Sequence, residues 1–267
     1  MNEKKMNTLF TVNLDGESFW EGMFEGTEKR PKTLSMGEYG IRRGLDRVLR
    51  VFGEHQVEAT FFVPGIIARR HPEAIEKILD GGHEIAFHGD THRPMQLLSA
   101  EELAEEFARG TESLRQLTGV QPEGFRAPEG EVTEAVFAAA SQAGYRYSSS
   151  LYDNDMPYLR GDLVEIPMNW NLHDFPYFAF NYGPAFPSGQ SRVSSYRRVE
   201  ENYVEEMDAY LHYGLTYVAQ FTPQSIGSPG KIQILEHLLS HMEPLRDNMQ
   251  VTTCQKLARK FREHPLP

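Results

Sequence analysis

Short apolar runs alternate with longer amphipathic stretches over almost the whole chain, and this limits the fold more than any other feature. The runs "TLFTVNL" (8–14), "EATFFV" (58–63), "HEIAFH" (83–88), "YRYSSS" (145–150), "LVEIPM" (163–168) and "LTYVAQF" (215–221) have the length and the β-branched or aromatic content of strands. "EGFRAP" (123–128) is shorter and ambiguous, and "QVTTCQKLARKF" reads as a brief strand and a last helix. Between them lie helical patterns. Residues 38–55 carry Ile41, Leu45, Val48, Leu49 and Phe52 at helical spacing, and 71–82 hold Pro72 in the first turn and Gly81 as a stop. Residues 99–119 open with Ser99 three positions before Glu102, a capping box, and close on Gly119. Further helices are expected over 133–144, 201–214 and 230–242. Strand and helix alternate too regularly for segregated layers. Seven or eight such units in 267 residues fit an α/β barrel better than an open sheet.

No stretch has linker composition and no repeat is visible, so one domain over residues 1–267 is expected. Two segments lack periodicity: a Gly-, Glu- and Lys-rich loop reaching about residue 35, and an aromatic, Gly- and Pro-rich region over 169–198. So long an irregular segment is usually functional. Trp170, Phe175, Tyr177, Phe178, Phe180, Tyr182 and Phe186 crowd the second, as a lid, pocket wall or subunit interface would.

The formal net charge is -11, with no basic helix or patch, which argues against nucleic acid and against an anionic membrane surface. Cys254 is the lone cysteine, so neither a disulfide framework nor a Cys-rich metal site is available. The opening "MNEKKMNTLFTVNLDG" has no apolar core of a signal peptide, and no run reaches transmembrane length. A cytoplasmic enzyme or binding protein is the expectation.

In barrels of this kind the chemistry sits at the C-terminal ends of the strands. There the chain places Asp15, at the end of "TVNLD", and His88 and His92, in "AFHGDTHRP". Two imidazoles and a carboxylate suit Zn²⁺, with Fe²⁺, Co²⁺ or Mn²⁺ as substitutes, and leave a position open for water. A hydrogen-bonded histidine pair beside a capping carboxylate is the plainer alternative.

The segments "VNLDGESFW", "ATFFVPG", "GHEIAFHGDTH", "GFRAPEG", "YSSSLYDNDMPY", "LVEIPMNWNLHDFPYF" and "PQSIGSPGKIQILEHLL" resemble the polysaccharide deacetylase superfamily. These are the NodB-like hydrolases of acetamido-sugar C–N bonds. The likeness is greatest to the cytoplasmic branch of peptidoglycan-deacetylase-like, cyclic-imide and allantoin hydrolases. It implies a distorted barrel, often of seven strands, a divalent metal (usually zinc) on Asp15, His88 and His92, and a homo-oligomer. It also implies that Arg126 orients the acidic groups, with a structural salt bridge as the alternative, and that Pro128 and Gly130 shape its loop.

Two positions depart from the branch. Its general base is an aspartate two residues before the metal-binding one, and here that residue is Asn13, which has no useful proton affinity. In a second register Asp15 is the base and Glu17 the ligand. The histidine acid that precedes Pro-Gln is here Thr222, and the arginine usual after "IG" is Ser228. His173 and Asp174 could restore the acid, and Glu17, Asp90 or Glu129 the base. The resemblance therefore implies a metal-dependent hydrolase of a small amide, cyclic imide or amino-sugar with altered proton-transfer groups. The alternative is an inactive relative that binds a ligand at the retained metal site, or a scaffold.

Overall fold

The computed structural model describes residues 5–129, 131–178 and 194–264. Gly130 and the aromatic residues Phe180, Tyr182 and Phe186 of the expected lid lie outside them.

Among the described residues nine strands form one sheet. They are β1 (Met6–Asn13), β2 (Thr60–Val63), β3 (Glu84–Phe87), β4 (Gly124–Phe125), β5 (Tyr147–Ser148), β6 (Tyr158–Arg160), β7 (Leu163–Glu165), β8 (Thr216–Phe221) and β9 (Met249–Val251). The parallel strands follow the order β7-β5-β4-β3-β2-β1-β8. β6 adds an antiparallel edge to β7, and β9 pairs with the start of β1. The sheet curls until the chain beyond β7 meets β8 at one bridge, His173 with Gln220. This is the expected distorted barrel, with its last gap bridged where His173 and Asp174 meet Gln220 and Thr222.

Strand alternation sorts the core in two. Phe10, Val12, Leu14, Phe61, Val63, Phe87, Ala219 and Phe221 pack with the helices in the larger cluster. Leu9, Phe62, Ala86, Tyr147, Val164 and Val218 pack with Cys254, Leu257, Ala258 and Phe261 of the last helix, which fills the lower end of the barrel. Because Leu14 faces outward, Asn13 and Asp15 leave β1 on the inner side with Leu9 and Thr11.

The Ser99–Glu102 capping box forms, and Gly119 ends that helix in the left-handed conformation. The expected loop up to residue 35 is a correction: helices span Ser18–Met23 and Pro31–Tyr39. The second runs through a π-helical segment, Gly40–Gly44, into the helix Leu45–Glu54. Packing explains what the weak periodicity could not. A Cβ on Gly44 would meet the Pro223 carbonyl oxygen at 2.1 Å, so the π turn seats directly against the short helix Pro223–Ile226. In the region 169–198, a 3-10 turn (Trp170–Leu172) and a short helix (Phe175–Phe178) replace part of the expected loop.

Candidate metal centre

Asp15, His88 and His92 come together where β1 and β3 end, and all three are buried. The Nε2 atoms of His88 and His92 each lie 3.4 Å from Asp15 Oδ1. One ligand atom from each residue fits within 4.8 Å of the others. None of these three atoms has a hydrogen-bond partner among the described residues, although each is buried. Orphaned polar atoms are costly inside a protein, and three that converge are the arrangement a cation would satisfy. The donor set fits a divalent metal.

Neighbouring groups hold each ligand. His88 Nδ1 donates to the Arg126 carbonyl oxygen at 2.7 Å, which leaves Nε2 as the lone-pair nitrogen toward the cluster. Gln224 Nε2 lies 3.4 Å from the second oxygen of Asp15. His92 has φ 60, an uncommon conformation for a side-chain-bearing residue. Phe19 packs against its ring at 5.7 Å, and the helix Ser18–Met23 presses on its backbone through Gly22. Burial would raise the Asp15 pKa, but the two imidazoles override it and hold the carboxylate well below its usual range. Burial pushes the His88 pKa down, which favours the neutral form that a metal ligand needs.

The remaining expected site residues divide. Arg126 is buried over the Phe62 ring at 4.1 Å. It donates to Ser149 O (2.9 Å), Ser149 Oγ (2.9 Å), Thr11 Oγ1 (3.0 Å) and Asn13 Oδ1 (3.0 Å). Every one of these partners is neutral, and among the described residues Arg126 makes no salt bridge: Asn13 stands where the acid would be. Burial pushes the Arg126 pKa down to about 10.

Glu17 turns from the cluster to His71 Nε2 at 2.9 Å and Arg70 at 3.6 Å, which leaves Asp15 in the ligand position. Asp90 is committed to Arg69 at 2.5 Å and lies 3.5 Å from Arg109, so it is not free to act as a base. Glu129 has no hydrogen bond or ion pair with any described residue, and its electrostatic neighbours include His92, Asp15 and Tyr152. Burial raises its pKa; His92 opposes that rise and Asp15 adds to it.

His173 reaches the same end of the barrel, stacked beside Phe175 and 3.0 Å from Gln220 Nε2. Burial, with Arg126 nearby, drives its pKa down to about 3, so the imidazole is neutral at physiological pH. Asp174 turns away and accepts from Thr222 N (2.9 Å) and Thr222 Oγ1 (3.1 Å). Burial lifts its pKa to about 7. The Thr222 hydroxyl is thereby spent on Asp174. Of the aromatic segment, Phe175 reaches the site beside Phe19, Phe178 is buried in the core, and Trp170 is exposed beside Tyr152.

Thr11, Phe62, Ser149, Phe19 and Gln224 were not singled out from the sequence. Thr11 and Asn13 share the period-two inner face of β1 with Asp15, a signal the pattern carried. The rest join through contacts between distant segments.

The family model for polysaccharide deacetylases matches residues 28–148. A peptidoglycan deacetylase of Helicobacter pylori is 29% identical over 205 residues, covering 66% of this chain and 70% of that protein. The crystal structure of a Mycobacterium smegmatis protein assigned as a polysaccharide deacetylase superposes with TM-score 0.92 and 31% identity, over 100% of this chain and 93% of that one. An allantoinase structure shares the fold, with TM-score 0.82 and 20% identity over 100% of this chain and 93% of that one.

Proposed function

The chain belongs to the polysaccharide deacetylase family, and from that premise we propose that it hydrolyses a non-peptide C–N bond with a divalent metal, zinc, held by Asp15, His88 and His92. The observation that carries this reading is the convergence of three buried, unpartnered ligand atoms at the C-terminal ends of the strands. Two imidazoles and one carboxylate are a donor set that zinc prefers. Bound there, the cation would supply Lewis-acid polarisation of a carbonyl and a nucleophilic water near neutral pH.

The chain's own groups then have separate tasks. Glu129, which has no hydrogen bond or ion pair with a described residue and lies within electrostatic reach of His92 and Asp15, accepts the proton of the attacking water. A carboxyl whose pKa is raised by burial can return that proton to the leaving nitrogen, which replaces both the missing aspartate and the missing histidine. His173, neutral, offers a hydrogen bond and not a charge. Thr222 and Asp174 hold the helix that carries Gln224 and take no part in proton transfer.

The substrate class is a small amide, cyclic imide or amino-sugar. Likeness to the Helicobacter pylori protein supports the peptidoglycan-deacetylase-like side of the family. Among the described residues no helix is long and apolar enough to cross a membrane. A single domain, a cytoplasmic setting and a homo-oligomer complete the proposal. Asn13 and Thr222 favour one competing reading, a ligand-binding relative without turnover. The test is zinc-loaded protein against a panel of N-acetyl sugars, cyclic imides, ureides and simple amides, with His88→Ala as control. Turnover absent from the control supports the hydrolase; stoichiometric zinc without turnover supports the binding protein.

A further inference from the structure

Arg126 is a buried guanidinium whose hydrogen bonds all end on neutral atoms. Glu165 lies within electrostatic reach but makes no contact with it; that carboxylate accepts from the backbone N–H groups of Ser150 and Leu151. A buried cation without a contacting anion is an unfavourable arrangement unless something else balances it.

Asn13 shows what could do so. An arginine has only donors, so its bond to Asn13 fixes the amide with Oδ1 toward the guanidinium. Nδ2, a donor, is then the other arm of the fork. It has no hydrogen-bond partner among the described residues and is not one of the fully buried unpartnered atoms, so it is an accessible donor on a side chain that is otherwise only 3% exposed. Asn13 shares the inner side of β1 with Asp15, two residues on. At the position where an aspartate would present an acceptor and a negative charge, this chain presents a donor backed by a positive charge.

From this juxtaposition of Asn13 and Arg126 we propose that the site takes an anionic ligand, a carboxylate-bearing amide or amino-sugar derivative whose charged oxygen accepts from Asn13 Nδ2. The assignment of this ligand as a substrate rests on the hydrolase reading above; the anion site itself does not. A carboxylate there completes the valence of the amide and gives Arg126 a counter-charge through it. A neutral substrate of the same shape can still accept from Nδ2 through a carbonyl oxygen but brings no counter-charge for Arg126, so the site discriminates by charge.

The test uses the zinc-loaded full chain and two readouts. The first is the thermal midpoint with acetate or acetamide at constant ionic strength, in the wild type and in Asn13→Ala. Acetate is expected to raise the midpoint of the wild type, acetamide to leave it unmoved, and Asn13→Ala to lose the acetate effect. An equal acetate shift in Asn13→Ala would place the anion on the metal alone and overturn the proposal, as would an equal response to acetamide. Without any ligand, Asn13→Asp supplies the missing counter-charge and should melt about 2 to 4 °C higher than the wild type; a lower midpoint counts against the proposal. The second readout is kcat/KM for matched substrates with and without a carboxylate, where a preference of about ten-fold or more is expected. Equal turnover of both would sink the anion site and leave the hydrolase standing. An acetate effect that depends on Asn13, with no turnover of any substrate, would do the reverse.

Discussion

His88 Nδ1 and the carbonyl oxygen of Arg126 lie 2.7 Å apart, so a backbone acceptor on β4's exit decides which imidazole nitrogen faces Asp15. One strand end thus supplies the ligand and the next supplies its orientation. Substituting His88→Ala removes a ligand and should reduce bound zinc from one per chain to a trace, measured by elemental analysis after dialysis. Retention of a full equivalent would mean that the metal sits elsewhere.

Glu129→Gln separates the proton carrier from the metal site. Zinc content should stay at the wild-type level while kcat falls about 10²- to 10⁴-fold, the usual range for a lost general acid or base. Glu129 works ionised, so kcat/KM in the wild type should fall as pH drops through its pKa. That acid limb should vanish in the variant. An unchanged limb would assign it to another group.

Asp174 makes stability depend on pH in a direction opposite to most carboxylates. Its folded pKa is raised from 3.8 to about 7, so the folded state holds a proton that the unfolded state releases. The stabilisation is complete below the unfolded value and is lost as pH rises through the folded one. Asp174→Asn keeps an acceptor for Thr222 and removes the titration. Urea melts at pH 5 and pH 8 should show wild-type stability declining between them and a much flatter response in the variant. A parallel decline in both would assign the slope to other groups.

Gly44→Ala tests the seating of the helix Pro223–Ile226. The added methyl would lie 2.1 Å from a backbone oxygen, so the two elements must part. The cost should be about 1 to 3 kcal/mol, and the shift of Gln224 away from Asp15 should weaken zinc binding. Chemical denaturation and zinc titration check the two effects separately, and an unperturbed melt would contradict the packing.

Much of the site was legible because its ligands lie at strand ends that the apolar pattern marks: Asp15 closes a buried run, and His88 follows "HEIAF" directly. What stayed hidden depends on contacts between distant segments. Asp90 reads as a free acid beside the histidines until Arg69 is seen to reach it. Glu17 looks equally available, yet His71 holds it. Neither pairing has a periodicity. The helices Ser18–Met23 and Pro31–Tyr39 escaped notice because their glycines and charges resemble a loop; Gly37 and Gly22 serve close packing, against Glu17 and His92. β6 was missed because a three-residue edge strand of partly exposed residues has no buried run to mark it.

The most direct measurement is turnover of the best substrate through a cycle of chelation and zinc return. Activity should disappear with the metal and come back in proportion to zinc, reaching its maximum at one equivalent per chain. Undiminished hydrolysis by the chelated protein would contradict the assignment of Asp15, His88 and His92 as the centre of the reaction.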